Sequence, residues 1–100
     1  MIKHIVVWKL KDSAQGATKA ENAARIKRDL EALRKKLPFV GKIEVGINFN
    51  PSPVAYDVAL YSEFASREDL HRYQNAPEHQ AVADFIAKVR EERVAVDYED

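Results

Sequence analysis

Tyr73 and His79 frame the stretch Tyr73-Gln74-Asn75-Ala76-Pro77-Glu78-His79, where one helical pattern ends and another begins. An imidazole and a phenol at such a junction are the groups in this sequence best suited to moving a proton. Val82, Ile86 and Val89 follow His79 at three, seven and ten residues, which turns the ring toward an apolar face. The first turn of a helix is electropositive and disfavours a second positive charge, so the ring is expected in the neutral form that a general base needs. A helix-turn-helix junction can fold the Tyr73 ring back toward it. His4 stands in an alternating row with Val6 and Trp8, a third polar side chain among apolar ones. A histidine or tyrosine in such a place also serves as a hydrogen-bonded core residue, and the pattern leaves both roles open.

Other chemistries find less support. His71 lies among charged neighbours and is expected on the surface. A metal site made from His71, Glu78 and His79 matches no ligand spacing and lacks a third firm ligand, so no metal is expected. The sequence has no glycine-rich phosphate loop, no serine nucleophile motif and no aromatic-plus-basic surface, and no cofactor is expected. The basic run Arg34-Lys35-Lys36 could attract an anion, but it fits the solvated last turn of a helix better.

The elements that must position these residues follow from periodicity. Residues 2–10 alternate, with Ile2, His4, Val6, Trp8 and Leu10 on one side and Lys3, Ile5, Val7 and Lys9 on the other. Apolar residues on both sides predict a central strand covered on both faces. A polar loop over 12–17 precedes a helix with Ala23, Ile26, Leu30, Leu33 and Leu37 on its buried stripe, stopped by Pro38. Its exposed side pairs Glu21 with Arg25 and Glu31 with Lys35 at helical spacing. A second strand is expected from Ile43 to Phe49, a loop through Asn50-Pro51-Ser52-Pro53, and a third strand from Ala55 to Phe64, forming an antiparallel hairpin. Ser66 caps a short helix through Tyr73. Asn75, with Glu78 three residues on, is expected to cap a new helix that starts at Pro77 and buries Val82, Phe85, Ile86 and Val89. Val94 to Tyr98 reads as a last strand.

The order β-α-β-β-α-β, with its second helix interrupted, predicts an α+β ferredoxin-like sandwich: four antiparallel strands with the helices on one face. The face left bare predicts a homodimer in which two sheets pack together. One hundred residues, 46% of them hydrophobic, fit a single domain over 1–100. Sixteen basic and sixteen acidic residues give zero formal charge, so neither nucleic acid nor an anionic membrane is expected as a partner. The chain has no cysteine, which excludes disulfides and thiolate chemistry and fits a cytoplasmic location. Its opening strand-like alternation, without a charged leader pattern or a long apolar run, predicts a soluble, unprocessed chain.

The opening Lys3-His4-Ile5-Val6-Val7-Trp8-Lys9-Leu10-Lys11, the central Tyr73-x-x-x-Pro77-x-His79-Gln80 and the closing Val94-x-Val96-Asp97-Tyr98 resemble the stress-responsive A/B barrel (Dabb) family. That resemblance spans nearly the whole chain and implies a homodimeric α+β barrel. One plant branch, olivetolic acid cyclase, closes a polyketide without a cofactor, using a tyrosine and a histidine that correspond to Tyr73 and His79, with a pocket histidine corresponding to His4. By that similarity His79 would act as general base, and Tyr73 would donate a hydrogen bond to an enolate or hold the base in place. The family often carries His-Pro-x-His, whereas Ala76 precedes Pro77 here, so one polar group of that pattern is missing. The resulting expectation is a pocket near His4, Val6, Trp8, Tyr73 and His79 for a small apolar or aromatic ligand. The alternatives are a cofactor-independent lyase, cyclase or monooxygenase, and a non-catalytic stress-associated dimer.

Overall fold

The computed structural model describes residues 1–100. Its elements run β1 (Ile2–Leu10), β2 (Ser13–Ala14), β3 (Ala17–Thr18), α1 (Lys19–Lys36), β4 (Lys42–Ile47), β5 (Val58–Phe64), α2 (Arg67–Asn75), α3 (Pro77–Val89) and β6 (Arg90–Glu99). The main sheet has the order β4-β5-β1-β6 with every neighbour antiparallel, so β1 is central as its two apolar sides predict. The helices cover one face. There Ile2, His4, Val6, Trp8 and Leu10 of β1 are buried together with Val58, Leu60, Ser62 and Phe64 of β5. The α1 stripe of Ala23, Ile26, Leu30, Leu33 and Leu37 closes over them.

The opposite face is bare. Cross-strand pairing puts Val7 beside Val94 and Ala59, and Ile5 beside Val96 and Tyr61. Val94 and Val96 are 50% and 53% exposed, and Tyr98 is also open to solvent. An apolar row of this kind on a sheet without a covering layer marks a surface that packs against something.

Local detail departs from the sequence expectations at several places. The loop over 12–17 contains a small hairpin, β2 paired with β3, whose turn residues Gln15 and Gly16 have φ of 53° and 73°. Two successive positive φ values are the twist that joins short antiparallel strands. Thr18 and Glu21 form a reciprocal capping box for α1, so Glu21 is occupied and does not pair with Arg25. Arg25 instead meets Asp29 at 3.4 Å, and Glu31 binds Lys27 at 2.9 Å and the Val45 amide, not Lys35.

The expected strand over 43–49 ends at Ile47. Asn48 accepts from the Asn50 amide through its own side chain, a local turn that peels the chain away and leaves Phe49 94% exposed. β5 begins at Val58, three residues later than expected, because Asp57 is used to tie the β4–β5 connection to β1: its amide donates to the Trp8 carbonyl and its carboxylate accepts from the Leu10 amide. β6 is longer than the expected 94–98 segment. No helix is long and apolar enough to cross a membrane.

Candidate functional site

Ser66 caps α2 by accepting from the Asp69 amide, as expected, and the helix carries Leu70 and Tyr73 into the core. The break that follows falls one residue later than the sequence suggests. Asn75 remains in α2, its side-chain amide donating to the His71 carbonyl at 2.9 Å. Ala76 becomes both the end of α2 and the N-cap of α3, without any side-chain cap, and Pro77 takes the first helical position. His79 is therefore the third residue of α3, on the side that continues through Ala83, Ile86 and Ala87. Val82 and Phe85, expected in the buried stripe, are only half-buried, and the Arg25 guanidinium lies 3.7 Å over the Phe85 ring.

The junction brings four rings together. Tyr73 is fully buried, with its ring centroid 4.4 Å from His79 and 5.1 Å from Phe64. The His4 ring approaches Phe64 and Tyr73 edge-on, each at 6.5 Å. His4 is itself buried, and its Nδ1 is hydrogen-bonded to Asp97 Oδ1 across the β1–β6 ladder, where the two residues are direct partners. A carboxylate there favours the tautomer with the proton on Nδ1.

Two buried side-chain polar atoms lack a well-formed hydrogen bond to protein, the Tyr73 hydroxyl and His79 Nδ1, although the Gln74 carbonyl lies near enough to the His79 ring to influence it. They belong to the two rings in closest contact. Burial pushes the Tyr73 phenol far above its usual range, so it stays protonated as a donor. Burial also lowers the His79 pKa, with the Gln74 carbonyl acting in the opposite direction and smaller downward contributions from His4 and Arg93. Desolvation thus acts toward the neutral imidazole, where the sequence pointed to the helix dipole.

A pocket of about 340 Å³ adjoins this cluster, between the covered face of the sheet and α1 and α3. His4, Val6, Trp8 and Leu60 form its floor, Leu30 one wall, and His79, Ala83, Ile86 and Ala87 the other. Arg90 and Arg93 complete the lining, and the exposed Ala87 and Arg93 mark its open side. Four of the five residues expected at the site, His4, Val6, Trp8 and His79, reach the pocket surface. Tyr73 does not; it stands behind the pocket surface, packed on His79 and met edge-on by His4. His71 is exposed on α2. No group of three or more His, Asp or Glu side chains is arranged to hold a metal ion.

Arg90, Arg93 and the alanines of α3 were not singled out from the sequence, and Asp97 was named there only within the closing motif, with no role at the site. Asp97 sits 93 residues from His4, and only the strand register joins them. Ala83 lies four residues after His79, a spacing that would have placed it on the same helix face.

Comparison with known proteins agrees with the geometry. A fold match of TM-score 0.88 and 40% identity, covering 99% of this chain and 95% of the other, links it to a dimeric ferredoxin-like protein of unknown function from Bacteroides fragilis. A hydroxynitrile lyase from Passiflora edulis shares the fold with TM-score 0.80 at 20% identity, over 97% of this chain and 90% of its own. An uncharacterised protein of Streptomyces coelicolor is 31% identical over 84 residues, 81% of each chain. The family described as Stress responsive A/B Barrel Domain matches residues 2–100, and the chain belongs to that Dabb family.

Proposed function

We propose that this protein is a homodimer whose protomers each bind a small organic molecule in the pocket floored by His4, Val6 and Trp8 and walled by His79. The observation that carries the binding reading is an apolar pocket with two imidazoles on its surface, His4 on the floor and His79 on the wall. Native structures leave few buried polar groups without a well-formed hydrogen bond, yet His79 Nδ1 and the Tyr73 hydroxyl behind it both lack one where the ring borders this pocket. Its volume falls at the lower end of the roughly 300–1,000 Å³ common for small-molecule sites.

The dimer rests on the bare face of Ile5, Val7, Val94 and Val96, and a relative at 40% identity is dimeric. Two copies packed on this face bury each other's apolar row by twofold symmetry. Light scattering at micromolar concentration should give twice the 11.4 kDa of one chain; a stable monomer would refute this packing.

A second reading is cofactor-independent catalysis, favoured by an imidazole kept neutral by burial at the pocket wall. His79 would take a proton from a carbon or hydroxyl of the substrate, and Tyr73, one layer back, would hold the ring in place. The fold hosts a hydroxynitrile lyase, which is a likeness of scaffold only. A thermal-shift and mass-spectrometric ligand screen separates the readings, because a ligand that binds only the native state raises stability. Binding abolished by His79→Ala with the fold retained supports the site. No ligand at all, with His79→Ala acting only on melting temperature, leaves a structural, stress-associated dimer.

A further inference from the structure

Arg90 and Arg93 are three residues apart on β6, and on a regular strand such residues face opposite sides of the sheet. Here they do not. The β1–β6 register shifts between Lys9 and Leu10, so that Arg93 lies opposite Trp8 while Arg90 lies opposite Leu10, with Glu91 as the extra residue. Trp8 and Leu10 belong to the same buried row of β1, so the bulge turns both arginines to the pocket side, and both line it.

Neither guanidinium is neutralised within the chain. The acids nearest in sequence are engaged elsewhere: Glu91 faces Lys9 at 4.0 Å, Glu92 accepts from the Tyr56 hydroxyl, and Asp97 holds His4. Arg25, Arg28 and Arg67, by contrast, each hold a carboxylate. The Arg93 charge reaches into the pocket, where it is felt at His79. The cavity is therefore apolar along Val6, Leu30, Leu60 and Ile86, with two free cations at one end.

Resting on the ligand-binding reading of this pocket, we infer that its ligand is an organic carboxylate, whose apolar body lies against β1 and α1 and whose carboxylate is held by Arg90 and Arg93. A planar carboxylate suits the forked guanidinium, which offers parallel donors.

The test compares octanoate and 2-naphthoate with their uncharged amides, by isothermal titration against the intact protein, with amide shifts along α3 locating the site. The carboxylates should bind about tenfold or more tightly than the amides, consistent with charge-assisted bonding. Arg90→Gln and Arg93→Gln should each lower carboxylate affinity far more than amide affinity, erasing most of that preference and its salt dependence. If acids and amides bind α3 equally, or the preference survives both substitutions, the carboxylate assignment is overturned and the pocket reading stands. The assignment is likewise overturned if the substitutions act only on dimer dissociation, since the arginines would then answer acids of the partner. If no compound of either series binds along α3, both readings fall.

Discussion

Removing the Tyr73 hydroxyl should leave the protein as stable as before or more so. The ring is fully buried and packs on Phe64 and His79, contacts that phenylalanine retains. The hydroxyl has no protein partner, so Tyr73→Phe removes no hydrogen bond within the chain. A buried, unpaired polar group costs about 1–3 kcal/mol, and the gap left by one oxygen takes back part of that gain. The expected net effect is about +1 kcal/mol, equivalent to roughly 4–8 °C in melting temperature for a domain of this size. Urea unfolding of wild type and Tyr73→Phe at one protein concentration measures it, since subunit association makes stability concentration-dependent. An unchanged m-value is required for the comparison to report stability alone. A loss of about 1 kcal/mol or more would refute the reasoning, because it would mean that the hydroxyl is satisfied by a water or a partner subunit. Because the hydroxyl does not reach the pocket, the same variant should leave ligand affinity nearly unchanged, whereas removal of the His79 ring should abolish it.

Four further outcomes follow. His79 is held below the ordinary imidazole pKa, so the unfolded chain binds its proton first as pH falls; stability is retained above about 6.5 and lost as pH drops through the lowered folded value. Urea unfolding between pH 5 and 7.5 should show this slope in wild type and a flatter one in His79→Gln. Asp97→Ala leaves the buried His4 Nδ1 unpaired and should cost about 1 kcal/mol, the exposed carboxylate being discounted, with Asp97→Asn costing less in the same assay. Ala76→Ser supplies the missing side-chain cap at φ −67°, ψ 135°, where α3 has none, and should add about 0.5–2 kcal/mol by the same measurement. Val96→Lys places a charge at the centre of the bare sheet face and should convert the dimer to monomer in light scattering, with far-UV circular dichroism unchanged.

The layers and strand order were legible because they rest on periodicity, which is local. Alternation along 2–10 predicted a central strand, and the α1 stripe from Ala23 to Leu37 is buried throughout. Residues with two competing partners were harder to read. Glu21 could pair with Arg25 or cap Thr18, and the cap wins by satisfying backbone donors that would otherwise lack a partner. Asn75 could cap α3 or continue α2, and its bond to the His71 carbonyl decides for α2. Phe49 kept the apolar alternation of its strand, yet the Asn48–Asn50 turn removes it from the ladder. At the site, His4, Val6, Trp8 and His79 were legible from face and spacing, because each obeys the period of its own element. The arginines were not, since a bulge breaks the period-two rule on which any sequence reading of a strand depends.

The same bulge gives the site its polarity. A regular β6 would send Arg90 to the bare face, next to Glu92 at the end of the Val94 and Val96 row, where it would add a charge to the surface that packs. One extra residue at Glu91 keeps the cations off that face and puts both at the pocket. On the proposed reading, two surfaces with opposite demands, an apolar one for a partner and a charged one for a ligand, are thus separated on a single edge strand. The His4–Asp97 bond ties that strand to β1 at the other end of the pocket, so β6 is fixed on both sides of the cavity. Substitutions that loosen this strand should therefore disturb association and ligand binding together, while those confined to Arg90 or Arg93 should disturb binding alone.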